Sequence, residues 1–325
     1  MTLNGFFAPL CGILILMGKA LIFVLLILLP LSASAGEKSS SIVDFLKGYR
    51  SETRGQYDEA IEQYRAALRS DPDSVQLRAE IALLFLKKGE VAEAEKLLAE
   101  AMTINENDRN AMILLAGIYS ARGEFLKAKA IYEKCIAANR EDTEAYLFLG
   151  SLYMSEKRYD EAITVYEKII SYDEGNIMAL YYLARLHGEI KSFDKAKQYY
   201  QTVIDLKPNF EPALLDMGTL FEIEGNFDKA IEYYRKVVTL DPLNKKARSR
   251  IATIFVKKKQ YNQAIYEFEK LSDLDREDVN LRVKIGLLHL EEERYDEAIR
   301  EFNIALAANP KNDSVRYYLA LSWRG

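Results

Sequence analysis

Tyr159-Asp160-Glu161-Ala162-Ile163 and Phe227-Asp228-Lys229-Ala230-Ile231 carry one chemistry twice: an aromatic ring, an acid, a second charge, an alanine and an isoleucine. The two alanines belong to a series. Ala60, Ala94, Ala128, Ala162, Ala196, Ala230, Ala264 and Ala298 follow one another at one fixed interval, with nothing inserted or deleted between the first and the last. A period of about 34 residues marks tandem supersecondary units, each burying its apolar face on the next, and so a solenoid. Solenoids bind along a surface; they rarely do chemistry in a pocket.

Other columns keep step. Twelve residues before each alanine stands a small residue: Gly48, Ala82, Ala116, Gly150, Ala184, Gly218, Ala252 and Gly286, with Ala320 opening a ninth unit. A large aliphatic usually precedes it, and three residues after it comes a bulky ring: Phe85, Tyr119, Tyr153, His187, Phe221, Phe255, His289 and Trp323. Spacings of one, three and four place these side chains on one stripe of a helix. A second helix follows, with an aromatic three residues before the alanine in most units and another ring four after it in most (Tyr64, Tyr132, Tyr166, Tyr200, Tyr234, Phe268, Phe302). Between the helices, Gly55, Gly89, Gly123 and Gly225 stand where a helix end takes a left-handed residue; Lys157, Lys191, Lys259 and Glu293 hold that place elsewhere. Pro72, Pro208, Pro242 and Pro310 mark the end of second helices. Each unit is a helical hairpin, and no strand is expected.

These columns resemble the tetratricopeptide repeat, a helix–turn–helix unit of the same period. The resemblance covers residues 41–312 as eight repeats and 313–325 as the first helix of an incomplete ninth. It implies an all-α solenoid of tandem hairpins wound into a right-handed superhelix. The first repeat is the weakest, with Lys47 and Ser51 where its siblings are apolar, as suits a terminal cap.

Residues 1–35 are different material: no acid, one base (Lys19), an apolar run from Ala20 to Leu31, then Ser32-Ala33-Ser34-Ala35. That order reads as a secretory signal peptide cleaved after Ala35, with 36–40 as a short linker. The alternative is an uncleaved membrane anchor, in which Lys19 would sit mid-span at a cost of about 2.5–3.5 kcal/mol. Translation from Met17 would give a signal of ordinary proportions. Lipidation at Cys11 is disfavoured, because no small residue precedes it. The expected location is therefore exported, periplasmic, in the cell envelope.

Without residues 1–35 the chain keeps 43 bases against 49 acids, a net charge of −6. This provides no basic field for nucleic acid. Cys135 would remain as a lone thiol, in a column of small and aliphatic residues, and is read as core. His187 and His289 lie three repeats apart, both in the bulky-ring column, and are read as packing residues. No nucleophile–base pair, clustered metal ligands or phosphate loop stands out. We expect no enzyme activity, catalytic residue, metal site or cofactor.

In repeats of this family the first helices line the concave face. The resemblance assigns that face to the places eighteen, fifteen, eleven and eight before each alanine. Here these include Leu83, Leu86, Ile113, Leu147, Met154, Met178, Tyr181, Leu215, Val256, Val283, Leu287 and Leu290, with Arg185, Glu222 and Lys246 as sparse charges. Part of this apolar content is packing between adjacent first helices; the stripe as a whole suggests a groove for an apolar or amphipathic protein segment. Chaperone-binding members grip a terminal carboxylate with basic residues and Asn in consecutive repeats. The matching places hold Ile113, Gly117, Leu147, Ser151, Tyr181 and Leu215, so that clamp is absent.

The expected function is a non-enzymatic interaction scaffold whose partners are envelope, secretion or assembly proteins. One alternative is a repeat part of a larger protein with a catalytic domain elsewhere. Another is a self-assembling repeat protein, associating through the C-terminal helix, where Leu319, Ala320 and Trp323 keep a packing face.

Overall fold

Residues that start and stop helices recur once per repeat, and the fold follows from them. The computed structural model describes residues 35–275 and 278–324, with side chains from Ser41 onward. These residues form 17 α-helices and no strand, an all-α repeat solenoid. The chain divides into two units, Met1–Val165 and Tyr166–Gly325. The first holds α1 (Ala35–Thr53), α2 (Tyr57–Ser70), α3 (Val75–Lys88), α4 (Val91–Ile104), α5 (Arg109–Ala121), α6 (Phe125–Ala138) and α7 (Thr143–Ser155). The division falls within α8 (Tyr159–Ile170). The second unit continues with α9 (Ile177–Glu189), α10 (Phe193–Leu206), α11 (Glu211–Ile223), α12 (Phe227–Leu240), α13 (Lys245–Lys257), α14 (Tyr261–Leu274), α15 (Val279–Glu291), α16 (Tyr295–Ala308) and α17 (Asp313–Ser322). The expected signal peptide lies outside the described residues except for Ala35. Residues 36–40, expected as a linker, are helical, since α1 already begins at Ala35.

First helices open on a column of caps. Ser74, Asp108, Asp142, Asn176, Asn244, Asp278 and Asn312 each accept a bond from a backbone N–H within the first turn that follows. Each cap is worth about 1 kcal/mol. In the one repeat where Phe210 holds the place, Pro212 in the first turn removes a donor that would need capping. The turns within hairpins are left-handed: φ is +74° to +80° at Gly55, Gly89, Gly123 and Gly225, and +56° to +60° at Lys157, Lys191, Lys259 and Glu293. Glycine is thus favourable there without being obligatory.

All eight repeat alanines have 0% exposure. The small column serves the ring of the second helix in the same hairpin. A methyl group placed on Gly48 would lie 2.6 Å from the Tyr64 ring; on Gly218 or Gly286 it would lie 2.7 Å from Tyr234 or Phe302. Cys135 is buried, and burial pushes its thiol up to about 11. His187 and His289 are buried in the ring column. His187 stacks on Tyr199 with centroids 5.5 Å apart, the same arrangement that Phe221 makes with Tyr233 one repeat later.

Candidate protein-binding face

The first helices of the first unit expose less than their sequence suggests. Leu83, Leu86, Ile113 and Leu147 are all buried, with Leu83 and Leu86 joining the core built around α2–α5. They were expected in the groove and are packing residues instead. The reason is geometric where α3 meets α5: these two first helices lie side by side, so part of the inward stripe of α3 is covered by its neighbour. Of the positions expected in this unit, Met154 stays partly exposed.

The second unit retains more. Leu215 is buried and belongs to packing, but Met178, Tyr181, Val256 and Leu287 are half-buried, and Arg185 and Lys246 are exposed. Tyr181 is held by its neighbours. Its hydroxyl donates to Asp216 Oδ2 at 3.0 Å, and its ring meets Phe210 edge-on at 5.3 Å. The Arg185 guanidinium lies 5.9 Å from the centre of the Tyr181 ring. Tyr200 donates to the same Asp216 oxygen at 3.2 Å. Burial, and then the Asp216 charge, raise both phenols well above the ordinary tyrosine range, so they remain donors at any working pH.

Glu222, expected as a charge open to a guest, is already engaged. It accepts from the Tyr234 hydroxyl at 3.1 Å and from Lys257 Nζ at 3.0 Å, with Arg250 at 3.5 Å. The same constellation stands five repeats earlier. Glu52 accepts from Tyr64 at 3.1 Å and from Lys87 at 2.9 Å. A glutamate at this position bolts its hairpin to the next first helix, so the cations Arg185 and Lys246 are the charges left to meet a partner. Asp216 was missed in the sequence, although a lone acid inside the apolar run Ala213–Met217 was the signal for it. No helix among the described residues is long and apolar enough to cross a membrane.

Comparisons bear on this architecture. The family profile described as the tetratricopeptide repeat protein 21 C-terminal ARM domain matches residues 29–211, more than half of the chain. Two tetratricopeptide repeat profiles match residues 223–288 and 283–324. No curated protein matches. Among solved structures, PilF of Pseudomonas aeruginosa is similar at 19% identity over 68% of this chain and 98% of its own, with a TM-score of 0.54. That likeness speaks for the fold. MamA is 25% identical over 50% of this chain and 95% of its own, with a TM-score of 0.46. A repeat protein of Parabacteroides merdae is 18% identical over 88% and 99%, with a TM-score of 0.41.

Proposed function

Because this chain belongs to the tetratricopeptide repeat family, whose members act as protein–protein interaction scaffolds, we propose that it is a non-catalytic scaffold that holds a segment of another protein against the first helices of its second unit. One observation carries the reading. Met178, Tyr181, Arg185, Lys246, Val256 and Leu287 all occupy inward positions of first helices and keep accessible surface, while Leu215 beside them is buried. The face is mixed, with apolar contacts and two exposed cations, Arg185 and Lys246, that make no ion pair among the described residues. It suits an amphipathic segment with acidic residues better than a purely apolar one.

The N-terminal apolar run and its Ser-Ala-Ser-Ala exit support export to the cell envelope, with an uncleaved anchor as the other outcome of the test. Envelope, secretion or assembly proteins are then the partners to look for. A photo-crosslinking residue at Arg185 should capture a discrete set of envelope proteins. Tyr181→Glu should abolish the capture while leaving the helical circular dichroism unchanged. Collapse of the fold in that variant would place Tyr181 in the core and remove the reading. Mass spectrometry of the native N-terminus should find Gly36; a chain retaining Leu21–Leu31 would mean an anchor.

The exposure of Tyr317 (62%) and Trp323 (70%) on α17 and just beyond it favours a second reading, association of two copies through this helix. Tyr317→Lys with Trp323→Lys should then lower the solution mass, and a mass already that of one chain would exclude it.

A further inference from the structure

On the second unit, away from the inward positions, a recess of about 600 Å³ runs along α12. Its floor is apolar, made by Leu214, Ile231 and Phe255. A second recess of about 270 Å³ opens between α12 and α14, beside the half-exposed ring of Tyr266. Arg235 and Phe255 line both.

The charges around the larger recess are three cations and two acids. Two of the cations are matched: Lys258 pairs with Asp228, and Lys236 pairs with Glu232 at 2.8 Å. Arg235 is exposed and makes no ion pair among the described residues.

The repeat supplies its own control. Five repeats earlier the same residue types recur as Asp58, Glu62, Arg65, Phe85 and Lys88. There Arg65 pairs with Glu62 at 3.4 Å and lies 5.6 Å from the centre of the Phe85 ring, covering it. Lys88 pairs with Asp58, as Lys258 does with Asp228. The position equivalent to Lys236 is Ala66. Lys236 therefore takes the glutamate that would otherwise hold the arginine, and Arg235 is released beside an apolar floor.

We propose that this recess is a second docking site, for an extended peptide segment of a partner protein that carries one carboxylate next to an apolar side chain. The carboxylate meets the Arg235 guanidinium in a bidentate pair, and the apolar side chain covers Ile231 and Phe255. A single uncompensated positive charge matches a monocarboxylate and is too little for a phosphate dianion, which the nearby Asp228 and Glu232 would repel.

A library of random peptides of about twelve residues, displayed on phage and panned on the intact chain, tests this. Recovered peptides should share one Asp or Glu flanked by Leu, Ile, Met or Phe. Charge reversal at Arg235 both removes the ion pair and adds repulsion toward the bound carboxylate. Arg235→Glu should therefore weaken the best labelled peptide about ten-fold in fluorescence anisotropy. Lys236→Ala should also weaken it, by returning Glu232 to Arg235. Tyr181→Glu should leave it unchanged, as should millimolar inorganic phosphate. Arg235 and Lys236 are exposed and Tyr181 is half-buried, and circular dichroism checks that each variant folds. Peptides without an acid, binding indifferent to both Arg235→Glu and Lys236→Ala, loss of binding in Tyr181→Glu, displacement by phosphate, or no recovered peptide would each overturn the proposal.

Discussion

Lys191 and Gly89 hold the same turn position in different repeats, and both are left-handed, at φ +60° and +80°. A side chain in that region costs about 1–2 kcal/mol, while glycine gives back about 0.5–1 in chain entropy. Lys191→Gly should therefore stabilise by about 0.5–1 kcal/mol, and Gly89→Ala should destabilise by a similar amount, in urea unfolding. The histidines give a pH effect of definite sign. Burial, followed by Lys195 for His187 and Arg294 for His289, holds both rings below the ordinary value of 6.5. Above that value both states are neutral and nothing is lost. As pH falls through it, the unfolded chain takes up protons that the folded chain resists, so stability drops. The double variant His187→Phe with His289→Phe should lose less melting temperature between about pH 7 and pH 5 than the parent. An unchanged slope would mean that these rings are not the groups responsible. Both positions were legible as packing residues from their ring column alone, because six of the eight members are hydrophobic aromatics.

Helix pairing depends on close approach. Ala128 in α6 has no exposed surface, whereas Ala121, which closes α5, is exposed. Leucine at 128 should cost about 1–3 kcal/mol through overpacking. Leucine at 121 should change stability by no more than about 0.5 kcal/mol. Equal effects would show that the repeat columns had been assigned to the wrong faces. The cap column from Ser74 to Asn312 keeps the same interval as the alanines and is broken only where Phe210 holds the place. It was equally readable in the sequence, since a capping side chain needs only its own first turn to act. The glutamates at 52 and 222 were not readable in this way. What engages them is a tyrosine on the second helix and a lysine on the following first helix, and only folding brings those within bonding distance.

For the whole molecule, a repeat chain gains stability mainly between neighbours, so damage should stay local. Ala298→Leu should speed amide hydrogen exchange in α15–α17 and leave α3–α5 at the parent rate. Uniform acceleration would mean that the chain opens as one cooperative body. The all-α class, the hairpin unit and the positions where helices touch were determined by the sequence itself. They rest on the unbroken interval between the repeat alanines and on short spacings of three and four, which any helix converts into a face. Which inward side chains remain accessible was decided by tertiary structure. Leu83 and Tyr181 have equivalent sequence credentials, yet the first is covered by neighbouring packing and the second keeps an accessible edge. The recess at Arg235 was likewise invisible in the chain order. Its arginine is freed by the partner that Lys236 takes on the same helix, and its floor is Phe255 from the next repeat. Periodicity reports what each repeat shares with its neighbours; burial and charge pairing depend on the particular side chains that three-dimensional packing brings together.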